Sequence, residues 1–109
     1  MEDLINYILK FRDDRNWSQY HNPKDLAISL SLEASELLEN FQWRTSEEAI
    51  DEKFEDIKDE IADVFIYLIL LSDRLGIKLS PVVRDKLLKN EQKYPVSKSY
   101  GSRKKYSEL

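Results

Sequence analysis

The chain has 109 residues, 21 of them acidic and 17 basic, a formal charge of -4, and only two glycines and three prolines. That length supports one hydrophobic core and not two, and the composition points to a helical protein rather than a sandwich or a disordered chain. Without cysteine there is no disulfide framework, thiolate metal site or thiol nucleophile, and the net acidity argues against binding a nucleic acid polymer.

The start, "MEDLINYILKFRDDRNW", is acidic from its second residue and lacks the basic, uninterruptedly apolar pattern of a signal peptide, which predicts a cytoplasmic protein. Leu4, Ile5, Ile8, Leu9 and Phe11 recur at helical spacing and mark a short first helix that ends in the polar segment 13–22. Asn22 and Pro23 read as an N-cap with proline at the first helical position. Behind them Leu26, Leu30, Ala34, Leu37 and Phe41 form one stripe of a second helix, predicted to run to about Trp43. Thr45 or Ser46, with Glu47 or Glu48 close behind, can cap a third and longest helix. Its expected core stripe is Phe54, Ile57, Ile61, Val64, Phe65, Leu68 and Leu75, and Gly76 stops it. Ser80 and Pro81 open a fourth helix, with Val83, Leu87 and Leu88, which Pro95 closes. The fold class is therefore all-α, a four-helix bundle, with residues 1–96 as one domain and 97–109 as a basic, flexible tail.

The most apolar run, "IADVFIYLILL" from Ile61 to Leu71, is well short of the roughly 20 residues of a membrane span. At about 100° per residue, Ile66, Ile69 and Leu70 fall outside the main stripe. A helix apolar nearly all round is normally enclosed, so these three residues are expected to form the interface of a homo-oligomer. The alternative is that they pack under the first or fourth helix.

The second and third helices each carry an acidic strip at the border of the core. Glu33 and Glu36 share one strip with Ser29 and Asn40, while Glu39 points elsewhere; Glu60 and Asp63 share the other with Asp56 and Tyr67. Residues three apart on a helix lie about 5–6 Å apart at Cβ, so each pair can converge on one point. Four like charges beside a low-dielectric core are tenable when protonated or neutralised by cations. Oxygen ligands without His or Cys select a hard ion such as Mg²⁺ or Mn²⁺. Magnesium usually fills its remaining positions with water and substrate phosphates, which points to phosphate chemistry. A solvated charged face is the competing reading, and spacing alone does not separate the two. A di-iron bundle is disfavoured, because the only histidine, His21, precedes the second helix.

"EASE" (Glu33 to Glu36), followed after a hairpin by "EIAD" (Glu60 to Asp63), resembles the paired ExxE and ExxD motifs of the MazG-like, all-α nucleoside triphosphate pyrophosphohydrolases. With the His-Asn-Pro entry, the FQW ending and "KNEQKYP", the likeness is to the dCTP pyrophosphatase branch and covers roughly residues 11 to 96. It implies a four-helix bundle working as a homodimer or homotetramer. It also implies a Mg²⁺-dependent enzyme that cleaves the α–β phosphate bond of dCTP or a modified dCTP to monophosphate and pyrophosphate, cleaning the nucleotide pool.

Carried over residue by residue, Glu33, Glu36, Glu60 and Asp63 would be the metal-binding and catalytic residues. Trp43 is suited to stack on a base. Trp17 would supply another ring and His21 a hydrogen bond to the base edge; their structural alternatives are a staple over the bundle end and a loop contact. Tyr67 would reach a sugar or phosphate oxygen, or else be a core tyrosine. Lys86, Asn90 and Lys93 share one face of the fourth helix and, with Tyr94, would hold the triphosphate; a solvated face competes for Lys86. Two further readings stand beside this one: a same-fold pyrophosphohydrolase for another nucleotide, and a non-catalytic helical module that binds nucleotide or protein.

Overall fold

The computed structural model describes all residues, Met1–Leu109. Four helices of eight residues or more account for most of the chain: α1 (Glu2–Asp14), α2 (Pro23–Glu39), α3 (Ser46–Arg74) and α4 (Leu79–Lys93). A short α5 (Val96–Ser99) follows, and there is no strand. None of the helices is long and apolar enough to cross a membrane.

Local chemistry explains most of the boundaries. α1 has Glu2 and Asp3 in its first turn, where acidic groups complement the helix dipole. It is followed by Asn16 at φ 53°, a left-handed conformation that asparagine tolerates better than most residues. A 3₁₀ turn, Trp17–Tyr20, leads on to α2. There the Asn22 side chain accepts from the Asp25 N–H at 2.8 Å, ahead of Pro23. α3 opens on a reciprocal capping box: Glu48 N–H donates to Thr45 Oγ1, and Thr45 N–H to Glu48 Oε1, both at 3.1 Å. It ends ahead of Gly76, whose φ of 69° suits the residue that terminates a helix.

The end of α2, the continuity of α3 and the start of α4, at Leu79 rather than at Ser80 and Pro81, differ from the sequence expectation. α2 stops at Glu39 rather than near Trp43, because Phe41, Gln42 and Arg44 close three-residue turns onto Leu38, Glu39 and Phe41. Trp43 itself sits at φ 63°, outside any right-handed helix. α3 is broken at Lys53 (φ -125°, ψ 19°), although neither proline nor glycine is near.

In the unit Met1–Gly76, α2 folds back along α3 and α1 packs on α3. Ile8, Leu26, Ala49, Ile57, Ile69 and Leu70 form the core. Arg12 of α1 donates to Asp73 near the end of α3 at 2.6 Å, tying the two helices together. This core corrects the reading of α3. Ile69 and Leu70, assigned to an interface between copies, are only 3% and 6% exposed within a single chain, and Ile66 is half-buried. Phe54, Ile61, Leu68 and Leu75, assigned to the core, lie at the surface. A helix apolar nearly all round offers no local cue to which sector faces its own neighbours.

The second unit, Ile77–Leu109, contains α4, which begins at Leu79 with Lys78 as its N-cap residue and buries no side chain. Tyr106 of the C-terminal segment meets Tyr94 edge-on at 6.0 Å, and the Lys93 ammonium lies 4.9 Å from the Tyr106 ring centre.

Candidate active site

The hairpin of α2 and α3 brings one carboxylate oxygen from each of Glu33, Glu36 and Glu60 within 4.8 Å of one another. Glu33 and Glu36 are three residues apart on α2 and so share a face; antiparallel packing delivers Glu60 opposite them. Glu33 and Glu60 are half-buried and Glu36 is exposed. Glu33 Oε2 and Glu60 Oε2 are buried with no hydrogen-bond donor, a costly arrangement for an acceptor unless something positive meets it.

The electrostatics agree. Burial first, and then the neighbouring Glu36, Glu60 and Asp63, push the Glu33 carboxyl up to about 7. The Glu60 carboxyl is also raised, chiefly by burial, with Glu36 and Asp63 adding to the effect while Glu33 opposes it. Clustered carboxylates that resist ionising together take either protons or a cation. Three hard oxygen donors, two with unsatisfied buried oxygens, fit a hard divalent ion. Asp63 is half-buried, and its charge is felt at Glu33 and Glu60, but its carboxylate lies outside the group of three.

A pocket of about 410 Å³ adjoins this cluster, lined by Glu36, Glu39, Asn40, Arg44, Lys53, Asp56 and Glu60. Glu36 and Glu60 belong to both. Glu39, expected to point elsewhere, is part of its wall, because α2 ends at that residue and the chain turns. Arg44 and Lys53 carried no signal in the sequence; the first lies in the hairpin turn and the second at the break in α3.

The aromatic candidates are spread along the molecule. Trp17 packs edge-on against Phe11 at 5.7 Å yet keeps nearly half its surface exposed. His21 is half-buried, its Nδ1 has no partner, and burial followed by the Arg12 charge lowers its pKa. Both precede α2, whereas Trp43 follows it and is 93% exposed. The 17 residues of α2, about 25 Å long at 1.5 Å each, lie between these positions in the chain. Tyr67 is half-buried on α3, one turn beyond Asp63. Lys86, Asn90, Lys93 and Tyr94 lie on or just after α4, in the second unit.

Residues 28–109 match the model of the MazG-like family. Over its full length the chain is 35% identical to dCTP pyrophosphatase 1 of Rattus norvegicus and 33% identical to that of Homo sapiens, covering 67% of each. A pyrophosphatase of known crystal structure from Archaeoglobus fulgidus is 46% identical and superposes with a TM-score of 0.81, over 87% of this chain and 92% of that one.

Proposed function

The chain belongs to the MazG-like family, and we propose that it is a Mg²⁺-dependent pyrophosphohydrolase converting dCTP, or a modified dCTP, to the monophosphate and pyrophosphate. The observation that carries this reading is the convergence of Glu33, Glu36 and Glu60, with two buried oxygens lacking donors. The similarity to dCTP pyrophosphatase 1 supports the choice of base, and removal of such a triphosphate from the precursor pool is the biological role that follows.

In the reaction a water oxygen bonds to the α-phosphorus, and the bond from that phosphorus to the oxygen bridging the β-phosphorus breaks. Pyrophosphate leaves with the electron pair, and the protons of the water pass to a carboxylate and then to solvent. A divalent ion held by Glu33, Glu36 and Glu60, with Asp63 beside them, would supply charge neutralisation and a more acidic bound water. Glu36, exposed and forming a wall of the adjoining pocket, is positioned to take a proton from a water there.

The active assembly in this proposal is a homodimer or a homotetramer made of two dimers. Phe54, Ile61 and Leu68 of α3 and Leu75 at its C-cap are exposed and recur every seven residues, the spacing of one of the two positions per heptad in a helix-pairing seam. Association would also relieve the separation of Trp17 and His21 from Trp43, since two copies can bring opposite ends of α2 to one nucleotide.

The test is a panel of ribo- and deoxynucleoside triphosphates, including a 5-substituted dCTP, with Mg²⁺ and with products resolved. Monophosphate and pyrophosphate, fastest from the cytosine deoxynucleotides, are the expected result. The same products from another base would overturn the substrate, and turnover of none would overturn the enzyme reading.

A further inference from the structure

The pocket beside the carboxylates has a direction. Along α2, Glu36 is followed by Asn40 and, past the turn, Arg44; along α3 in reverse, Glu60 is followed by Asp56 and Lys53. The carboxylates shared with the metal-binding group thus stand at one end of the hairpin groove and the two cations at the other. Lys53 is seven residues from Glu60, a rise of about 10 Å.

Both cations have unused donors. Arg44 gives its Nε–H to Glu52 at 2.9 Å and an Nη1–H to the Gln42 carbonyl at 3.3 Å, leaving Nη2 without an acceptor. The Lys53 ammonium lies 3.9 Å from Asp56, too far for a hydrogen bond, and makes none elsewhere. Their side chains are only 29% and 37% exposed. Half-buried cations with free N–H groups favour an anion at their own end of the pocket, where they oppose the charge of Glu39 and Asp56 in the same lining. The break in α3 falls at Lys53, which lines the pocket, so the backbone departs from the helix at a residue that this anion would touch.

Resting on the pyrophosphohydrolase reading above, we infer that Arg44 and Lys53 form a subsite for the β- and γ-phosphates, and so for the departing pyrophosphate, while the α-phosphate lies at Glu33, Glu36 and Glu60. Cleavage puts negative charge on the bridging oxygen and then on the β-phosphate. Two fixed donors at that end stabilise the leaving group without contributing to capture of the monophosphate.

The experiment is calorimetric titration of inorganic pyrophosphate, and separately of deoxycytidine monophosphate, into the wild type and the variants Lys53→Gln, Arg44→Gln and Arg44→Lys with Mg²⁺ present. Charge-assisted hydrogen bonds of this kind predict a loss of pyrophosphate affinity of roughly tenfold or more for each glutamine variant. Monophosphate affinity is expected to stay unchanged, and Arg44→Lys to recover part of the loss. Product inhibition by pyrophosphate should weaken in parallel. Lys53→Gln removes only a long, partly exposed ion pair, so the test does not depend on a variant that misfolds. Unchanged pyrophosphate affinity, or equal losses for both ligands, would overturn the subsite while the wild type's turnover left the enzyme reading intact. A wild type that turns over no triphosphate would overturn that reading separately, and a wild type that does not bind pyrophosphate would overturn the subsite directly.

Discussion

If the proposed oligomer forms through α3, replacing Ile61 by aspartate should split it while leaving each chain folded. Phe54, Ile61, Leu68 and Leu75 are 53%, 53%, 38% and 51% exposed, so each chain leaves about two side chains' worth of apolar surface along the seam, and two copies about four. At roughly 1.5–3 kcal/mol per fully buried side chain, the gross gain on pairing is about 6–12 kcal/mol. An association cost of about 4 kcal/mol leaves about 2–8 kcal/mol, a dissociation constant in the micromolar range at the upper end of that gain. Ile61→Asp removes about a quarter of that gain and places a carboxylate from each copy in an apolar seam, for a loss of more than about 3 kcal/mol and over 100-fold in affinity. Sedimentation velocity across the micromolar range reads the mass directly, and thermal melting of the dilute variant checks that the fold is intact. The buried neighbour is the contrast: Ile69→Ala should cost about 2–5 kcal/mol of folding stability through a cavity. A wild type that stays monomeric throughout the range, or an Ile61→Asp variant of unchanged mass, would refute the seam.

In the metal-free protein Glu33 holds its proton up to about 7 against an ordinary 4.5. The native state therefore binds more protons than the unfolded state between these values, and stability falls as pH rises through that window. Glu33→Gln should flatten the slope and abolish the stabilisation expected of the proposed Mg²⁺ near pH 8, as read by thermal melts with chelator and with metal. Thr45→Ala should lose about 1 kcal/mol by removing the α3 capping box, a drop of roughly 4–8 °C in Tm for a domain of this size. Trp43→Ala should leave Tm almost unchanged, because the ring is 93% exposed, and should raise KM for dCTP more than it lowers kcat.

Sequence by itself determined the features that depend on residues within a turn or two of one another. Asn22 with Pro23, Thr45 with Glu48, and Gly76 set helix ends through short side-chain bonds or a single backbone angle, and the structure has them where the residues dictate. The i, i+3 spacing likewise put Glu33 beside Glu36 on one face, whatever the rest of the fold did. The early end of α2 was hidden because the stripe from Leu26 to Phe41 continues past Glu39, where the helix ends, and Trp43 turns left-handed only beyond it.

Only the tertiary structure decided what depends on which surfaces meet. Ile69 and Ile61 are equally apolar in the sequence; packing of α1 and α2 on α3 buries one and leaves the other exposed, and no local interaction distinguishes them. The same packing joins Glu60, more tightly than Asp63, to the pair on α2 and turns Glu39, Arg44 and Lys53 into walls of one pocket. Spacing along one helix fixes an angle about its axis, but the distance to a side chain on another helix exists only once the two have packed.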